Sequence, residues 1–375
     1  MKSFLRLQSR LQDDPYLKPY LPLLQQRQEY AHELIRRLTS GKMNLADFSS
    51  GHEFFGLHRH KNGWIFREWA PNASAIGIIG NFCGWNKGQG IPLNRGDHGT
   101  WHAEIADGVL RHGDLYRLYV RWPGGEGDRI PAYARRVVQD DTSKIFNAQV
   151  WAPERQYEWK HPDPETRNRV ALVYEAHVGM AQERDGIGTY EDFRRNILPR
   201  IIDAGYNTIQ LMALMEHPYY GSFGYQVSSF FAASSRFGTP DELKALIDAA
   251  HGAGLGVVMD LVHSHAVRNE VEGLSRFDGT PYQYFHEGPR GDHPAWNSRC
   301  FDYAKPEVLH FLLSNCRFWL DEYHLDGARF DGVTSMLYDH HGLGRHFTSY
   351  AQHFDGAVDH DALAYLTLAN ELVHS

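Results

Sequence analysis

Val257-Val258-Met259-Asp260-Leu261-Val262-His263-Ser264-His265 is an almost continuous apolar run that ends in polar residues. Similar runs recur on either side, at Leu172-Val173-Tyr174-Glu175, Thr208-Ile209-Gln210-Leu211 and Leu325-Asp326-Gly327-Ala328-Arg329-Phe330. Helical patterns at 190–204, 240–253, 306–322 and 359–373 lie between or after them. Near-continuous apolar strands followed by helices predict a parallel sheet covered on both faces. A Rossmann fold would need a glycine-rich phosphate turn after its first strand, and Glu175-Ala176-His177-Val178-Gly179 carries none. Gly252-Ala253-Gly254-Leu255-Gly256 precedes a strand instead of opening a helix. A (β/α)8 TIM barrel fits better, and four strand–helix units are present.

Upstream of the parallel region the period changes twice. Over 1–45, Leu17, Leu21, Leu24, Tyr30, Leu34 and Leu38 recur at helical spacing between Asp14-Pro15 and Gly41. Over 46–155, short runs such as 64–69, 75–79, 101–105 and 116–120 are separated by turn clusters, the pattern of an all-β, immunoglobulin-like sandwich. Pro153 to Pro164 reads as a linker. The expected architecture is therefore multidomain. It consists of an N-terminal helical segment (1–45), a β-sandwich module (46–155) and the first half of a TIM barrel (165–375).

Composition narrows the function. The 375 residues carry 38 basic and 46 acidic side chains, a net charge of −8, which argues against a protein that holds nucleic acid by neutralising phosphates. No apolar run approaches the roughly 20 residues of a membrane helix, and Met1-Lys2-Ser3-Phe4-Leu5-Arg6 is charged too early for a signal peptide. Cys83, Cys300 and Cys316 form neither a disulfide framework nor a CxxC pair. A cytoplasmic protein is expected. Trp64, Trp69, Trp85, Trp101, Trp122, Trp151 and Trp159 crowd the first 160 residues. Such rings suit the C–H face of a sugar, and equally the core of a sandwich.

Barrel enzymes carry their chemistry at the C-terminal ends of strands. There the sequence places Asp260 with His263 and His265, and then Arg329 with Asp331, which alternation along a strand turns the same way. An arginine beside a carboxylate favours its ionised form, and an ionised Asp beside a sugar is the nucleophile of a retaining glycosidase or transglycosidase. Arg329–Asp331 could instead be an internal salt bridge that orders the strand end, and Asp260 and His265 a satisfied hydrogen-bonded pair with no substrate. Asp260, His263 and His265 could ligate a metal, but nothing else supplies a closed ligand set, so no metal is expected. His340-His341 reads as loop.

The longer motifs carry a resemblance. Phe66-Arg67-Glu68-Trp69-Ala70-Pro71-Asn72-Ala73 and Gly80-Asn81-Phe82-Cys83-Gly84-Trp85-Asn86 resemble carbohydrate-binding module 48. The stretches 174–179, 215–227 and 332–338 are similar to segments of the eukaryotic-type 1,4-α-glucan (glycogen) branching enzymes of the α-amylase superfamily, glycoside hydrolase family 13. By that resemblance Asp331 is the nucleophile and Arg329 its supporting arginine. Asp260 and His265 hold hydroxyls of the sugar at the cleavage point, and Tyr225 lies beneath that sugar. Trp69, Trp85, Asp97, Gly99, Arg117 and Glu307 belong to a glucan-binding surface. Ala328 stands where the family has Phe, a change expected to affect packing, and Asn297 stands where it has Asp.

The resemblance implies glycogen biosynthesis by transfer of an α-1,4 glucan chain to a C6 hydroxyl, with an α-glucan as the partner and no organic cofactor. It also places the general-acid Glu beyond Ser375. The expectation is thus an incomplete chain that binds glucan without branching it, and that exposes the edge of its last parallel strand. Two other readings stand beside it: an α-glucan hydrolase of debranching or amylase type, and a non-catalytic glucan-binding protein.

Overall fold

The computed structural model describes residues 14–161 and 170–374. The first 13 residues of the expected helical segment, positions 162–164 of the expected linker, 165–169 of the barrel region and Ser375 lie outside the described residues. Asp14 does begin a turn, its Oδ1 accepting the Tyr16 N–H at 2.8 Å, but the α-helix starts later, at Leu21–Leu38. That helix packs on His360–Val373: Tyr30 donates to Asp361, and the rings of Tyr20 and Phe354 stack at 4.3 Å nearby.

Ten antiparallel strands follow: β1 (Gly56–His60), β2 (Gly63–Trp69), β3 (Ala75–Gly80), β4 (Ile91–Pro92), β5 (Asn94–Arg95), β6 (Thr100–Ala106), β7 (Leu115–Trp122), β8 (Gly125–Arg129), β9 (Val137–Gln139) and β10 (Phe146–Gln149). They form two sheets, one ordered β1-β2-β6-β5 and the other β4-β3-β7-β10-β9 with β8 on β7. The period-two pattern decides what is buried between them. Trp64 and Phe66 of β2, Trp101, Ala103 and Ile105 of β6, and Tyr116, Leu118 and Val120 of β7 all point inward. Phe66 meets Tyr116 across the sheets at 6.5 Å. Trp64 and Trp101 are thus core residues, whereas Trp69 is half-buried and Trp85 exposed.

The downstream strands are β11 (Val173–Ala176), β12 (Thr208–Leu211), β13 (Met215–Glu216), β14 (Ser229–Ala233), β15 (Gly256–Leu261), β16 (Ala266–Val267), β17 (Asp292–His293), β18 (Ser298–Arg299) and β19 (Gly327–Phe330). Four of them make one parallel sheet in the order β11-β12-β15-β19, with β11 and β19 at its edges. Helix Pro240–Gly252 opens with a capping box between Thr239 and Glu242, and helix Pro306–Tyr323 buries Phe311, Phe318, Trp319 and Tyr323. The expected uniform helix at 190–204 is instead three pieces: Tyr190–Asp192, a π turn Phe193–Ile197, and Leu198–Asp203. Pro199 has no N–H to give and its ring crowds the preceding turn, so the α ladder breaks there. No helix among the described residues is long and apolar enough to cross a membrane.

The two-sheet module is bolted to the parallel region. Asn72 bonds the Asp278 carboxylate and carbonyl, each at 3.0 Å, and the Arg129 guanidinium reaches the Arg276 carbonyl at 3.0 Å. The described part of the expected linker is also fixed. Asp248 accepts from the Tyr157 hydroxyl at 2.8 Å and the His161 N–H at 2.8 Å, while Trp159 stacks on His324 at 4.1 Å. Its prolines and charges suggested a free tether; one buried carboxylate supplies the anchor that composition does not reveal.

Candidate active site

Parallel pairing sets Asp260 of β15 directly opposite Arg329 of β19. The Arg329 guanidinium bridges two carboxylates, with Nη1 2.8 Å from Asp260 Oδ2 and 2.8 Å from Asp331 Oδ1. The three side chains differ in exposure: Asp260 is sealed at 0%, Asp331 is 23% open and Arg329 47% open. Asp331 therefore presents its carboxylate to solvent while its partner carboxylate is structural. Ala328 and Phe330 lie against the core, as alternation requires.

The chain bends sharply after each half of this cluster. Gly332 sits at φ +68, where a Cβ would lie 2.5 Å from the Ser264 hydroxyl. Gly224, at φ +92, passes so close to Ala213 that a Cβ would fall 2.0 Å from its carbonyl oxygen. Only glycine fits either turn. The second turn delivers Tyr225, whose hydroxyl donates to Asp260 Oδ2 at 2.7 Å. Burial and this bond raise the Tyr225 phenol, so it stays a donor. Burial also raises Asp260, outweighing the Tyr225 bond and Arg329. The guanidinium beside it therefore does not leave Asp260 with a lowered pKa.

His265 is buried beside them, its Nε2 donating to the Tyr225 carbonyl at 2.8 Å and its Nδ1 facing Ser264 Oγ at 2.8 Å. Burial lowers its pKa and favours the neutral ring. His263 turns the other way, into the core, bonded to Tyr365 at 2.6 Å and Asn315 at 2.8 Å. Asp260, His263 and His265 are therefore not assembled as a ligand set. His341 bonds the Ser335 carbonyl at 2.9 Å within its loop.

Two neighbours escape a reading by motif. Gln210 of β12 donates to Asp260 Oδ1 at 2.9 Å and to Glu175 of β11 at 3.2 Å, extending the polar row across four strands. A polar residue inside the run Thr208–Leu211 was its signal. Trp296 lies 5.0 Å from the His265 ring and stacks on His293 at 4.0 Å. Asn297, next to it, faces Arg268 at 3.5 Å.

The expected glucan surface is only partly assembled. Trp69, His98, Thr100, Tyr133, Tyr284 and Glu307 line a groove of about 260 Å³ between the two-sheet module and helix Pro306–Tyr323. The Asp97–Gly99 turn supports it, the His98 carbonyl accepting the Trp69 indole N–H at 3.2 Å. Trp85 and Arg117 are not in it. Trp85 is exposed at the end of β3, and Arg117 is 8% exposed with its Nε on the Phe146 carbonyl at 3.0 Å. As a central strand, β7 buries Arg117 and leaves its guanidinium bound to backbone, so Arg117 is unsuited to binding a glucan. A larger cleft of about 920 Å³, lined by Trp64, Trp151 and Trp159 among others, does not include the carboxylate cluster.

Residues 54–134 match the model of carbohydrate-binding module 48 (isoamylase N-terminal domain), and 196–300 match the alpha amylase catalytic domain. A 1,4-alpha-glucan-branching enzyme of Dictyostelium discoideum is 47% identical over 371 residues, 97% of this chain and 54% of that protein. One from Equus caballus is 46% identical over 373 residues, 97% of this chain and 53% of that protein. The chain is a homologue of the 1,4-alpha-glucan-branching enzymes. It spans about half the length of the curated relatives it matches. Among solved structures, the pullulanase of Bacillus acidopullulyticus superposes with a TM-score of 0.60 at 22% identity, over 76% of this chain and 38% of that one. The pullulanase of Paenibacillus barengoltzii gives 0.60 at 19% identity, over 74% and 48%. These likenesses speak to the fold alone. In this chain Asp260 falls within the alpha amylase match and Asp331 after it, and the Trp69 wall of the groove falls within the module match.

Proposed function

We propose that this chain carries the nucleophile and sugar-binding groups of a retaining 1,4-α-glucan branching reaction. In this reading the parallel sheet is the first half of a (β/α)8 barrel, and the two-sheet module is an immunoglobulin-like glucan-binding domain. The observation that carries it is the Arg329 bridge, which holds Asp331 part-open at a strand end while Asp260 is sealed behind it. Asp331 attacks the anomeric carbon, an ester forms, and the C1–O4 bond breaks with a proton delivered to the leaving oxygen by a second carboxylic acid. A C6 hydroxyl of another glucan then attacks the anomeric carbon, breaking its bond to Asp331 and giving its proton back to that second carboxylate, leaving an α-1,6 branch. Asp260 and His265, which the resemblance gives to sugar hydroxyls, are sealed and fully bonded here and would instead hold Arg329 and Tyr225 in place, while Tyr225 and Trp296 would bound the sugar. No cofactor enters these steps. Glycogen synthesis in the cytoplasm is the setting proposed.

A donor whose leaving group needs no proton tests the nucleophile directly. With an α-maltosyl fluoride, mass spectrometry should find one glycosyl ester on the peptide containing Asp331, absent in Asp331→Asn. Glucan binding without any ester would overturn the catalytic reading in favour of a non-catalytic glucan-binding protein. Ester formation resolved only by water, with new reducing ends and no α-1,6 links, would favour the hydrolase.

A further inference from the structure

Glu68 follows Trp64 and Phe66 on the inward face of β2, and none of it reaches solvent. A buried carboxyl is costly unless its oxygens are bonded. Each oxygen takes one peptide N–H: Oε1 from Trp69 at 2.9 Å and Oε2 from Ala132 at 2.9 Å. Among the described residues no basic side chain is hydrogen-bonded to it. These two N–H groups belong to different segments of the groove wall. Trp69 closes β2, and Ala132 precedes Tyr133, whose ring stacks on Phe55 at 5.0 Å and on Phe231 at 4.6 Å. Trp69, Tyr133 and Phe55 all line the groove. Trp69 is further held by Gln283, which donates to its carbonyl at 2.7 Å.

We propose that Glu68 is the positioning residue of the groove, its two oxygens holding the Trp69 and Tyr133 walls at the spacing that admits a glucan chain. This rests on the reading of the groove as a glucan site. Only the ionised carboxylate can accept on both oxygens without presenting a proton to an N–H; protonation turns one acceptor into a donor and loosens one wall. Burial raises the Glu68 carboxyl to about 8, against the pull of the two N–H bonds. The titratable groups facing it are the phenols of Tyr116, Tyr133 and Tyr284, each raised first by burial and then by Glu68 itself, with Arg135 acting on Tyr116 and Asp278 on Tyr284. The groove itself adds His98, Glu307 and His310. Burial holds His310 down to about 4.

The test is maltohexaose binding to the full chain, by calorimetry, between about pH 6 and pH 9. Wild type should tighten about fivefold as pH rises through this range. Glu68→Gln should bind about fivefold more weakly than wild type at the alkaline end, with a flatter profile, while keeping a cooperative melting transition. Because His98, Glu307 and His310 are common to both proteins, the difference between the two profiles isolates Glu68. Glu68→Asp, which keeps the charge but is one methylene shorter, should also bind weakly, and it stands in if the Gln variant does not fold. Wild-type affinity and pH profile in either folded variant would overturn the proposal. If Trp69→Ala leaves affinity unchanged, the groove reading falls and this proposal with it. Loss in Trp69→Ala but not in the Glu68 variants overturns this proposal alone.

Discussion

Asp260 and Arg329 are register partners on adjacent parallel strands, and the guanidinium of one meets the carboxylate of the other at 2.8 Å. The sheet's own pairing thus seats a cation over a sealed carboxylate, and leaves the same nitrogen to steady Asp331 two residues later.

Arg329→Lys keeps one charge, but its shorter side chain leaves Nζ short of the Nη1 position that serves both carboxylates, so it should hold one carboxylate and release the other. The rate of ester formation on Asp331 should fall by about a hundredfold, read by time-resolved mass spectrometry. The melting transition should shift modestly. Because Arg329 is nearly half exposed, the stability cost is discounted to about 1–2 kcal/mol.

Tyr225→Phe removes the hydroxyl that donates to Asp260 and leaves the ring. A loss of about 1 kcal/mol in urea unfolding is expected, with Asp331 still labelled by the activated donor. Tyr225→Ala should abolish labelling while leaving maltohexaose binding at the Trp69 groove intact.

Stability should fall with acid in a defined window. Burial lowers His263, His293 and His310 to about 4 and His52 to about 3. The unfolded chain protonates its histidines near pH 6.5, so below that value it binds protons the folded chain refuses. The unfolding free energy from urea titrations should drop progressively from about pH 6.5 towards 4, at up to about 1.4 kcal/mol per pH unit for each such group. His263→Gln should remove about one group's share of that slope; an unchanged slope would show that His263 does not titrate this way.

Asp248→Ala withdraws the acceptor shared by Tyr157, Lys160 and His161. Limited proteolysis should then cut within 154–161 well before the rest of the chain is attacked, whereas wild type should resist there. Equal cutting rates in the two proteins would show that Asp248 is not the anchor.

Periodicity made some of this legible. Thr208–Leu211 is a strand as read, and alternation alone pairs Arg329 with Asp331 on one face and Ala328 with Phe330 on the other. Composition failed wherever a tertiary partner decides. Proline and charge at 153–161 suggest a tether, yet Asp248, nearly ninety residues away, holds the segment down. The resemblance puts Arg117 on a glucan-binding surface, but a central strand places it against the Phe146 carbonyl. Trp296 lies in a loop with no period, so its proximity to His265 is visible only in three dimensions.

The tight turns at Gly224 and Gly332 have a bearing on how mutational scans should be interpreted. Each precedes or follows a residue of the carboxylate cluster, and each has backbone or side-chain oxygen where a methyl group would go. Substitution at either would shift Tyr225 or Asp331 bodily, so both positions should score as intolerant as Asp331, the proposed nucleophile. Intolerance at these sites would report the torsion of the main chain, and should not be counted as evidence that a glucan touches them.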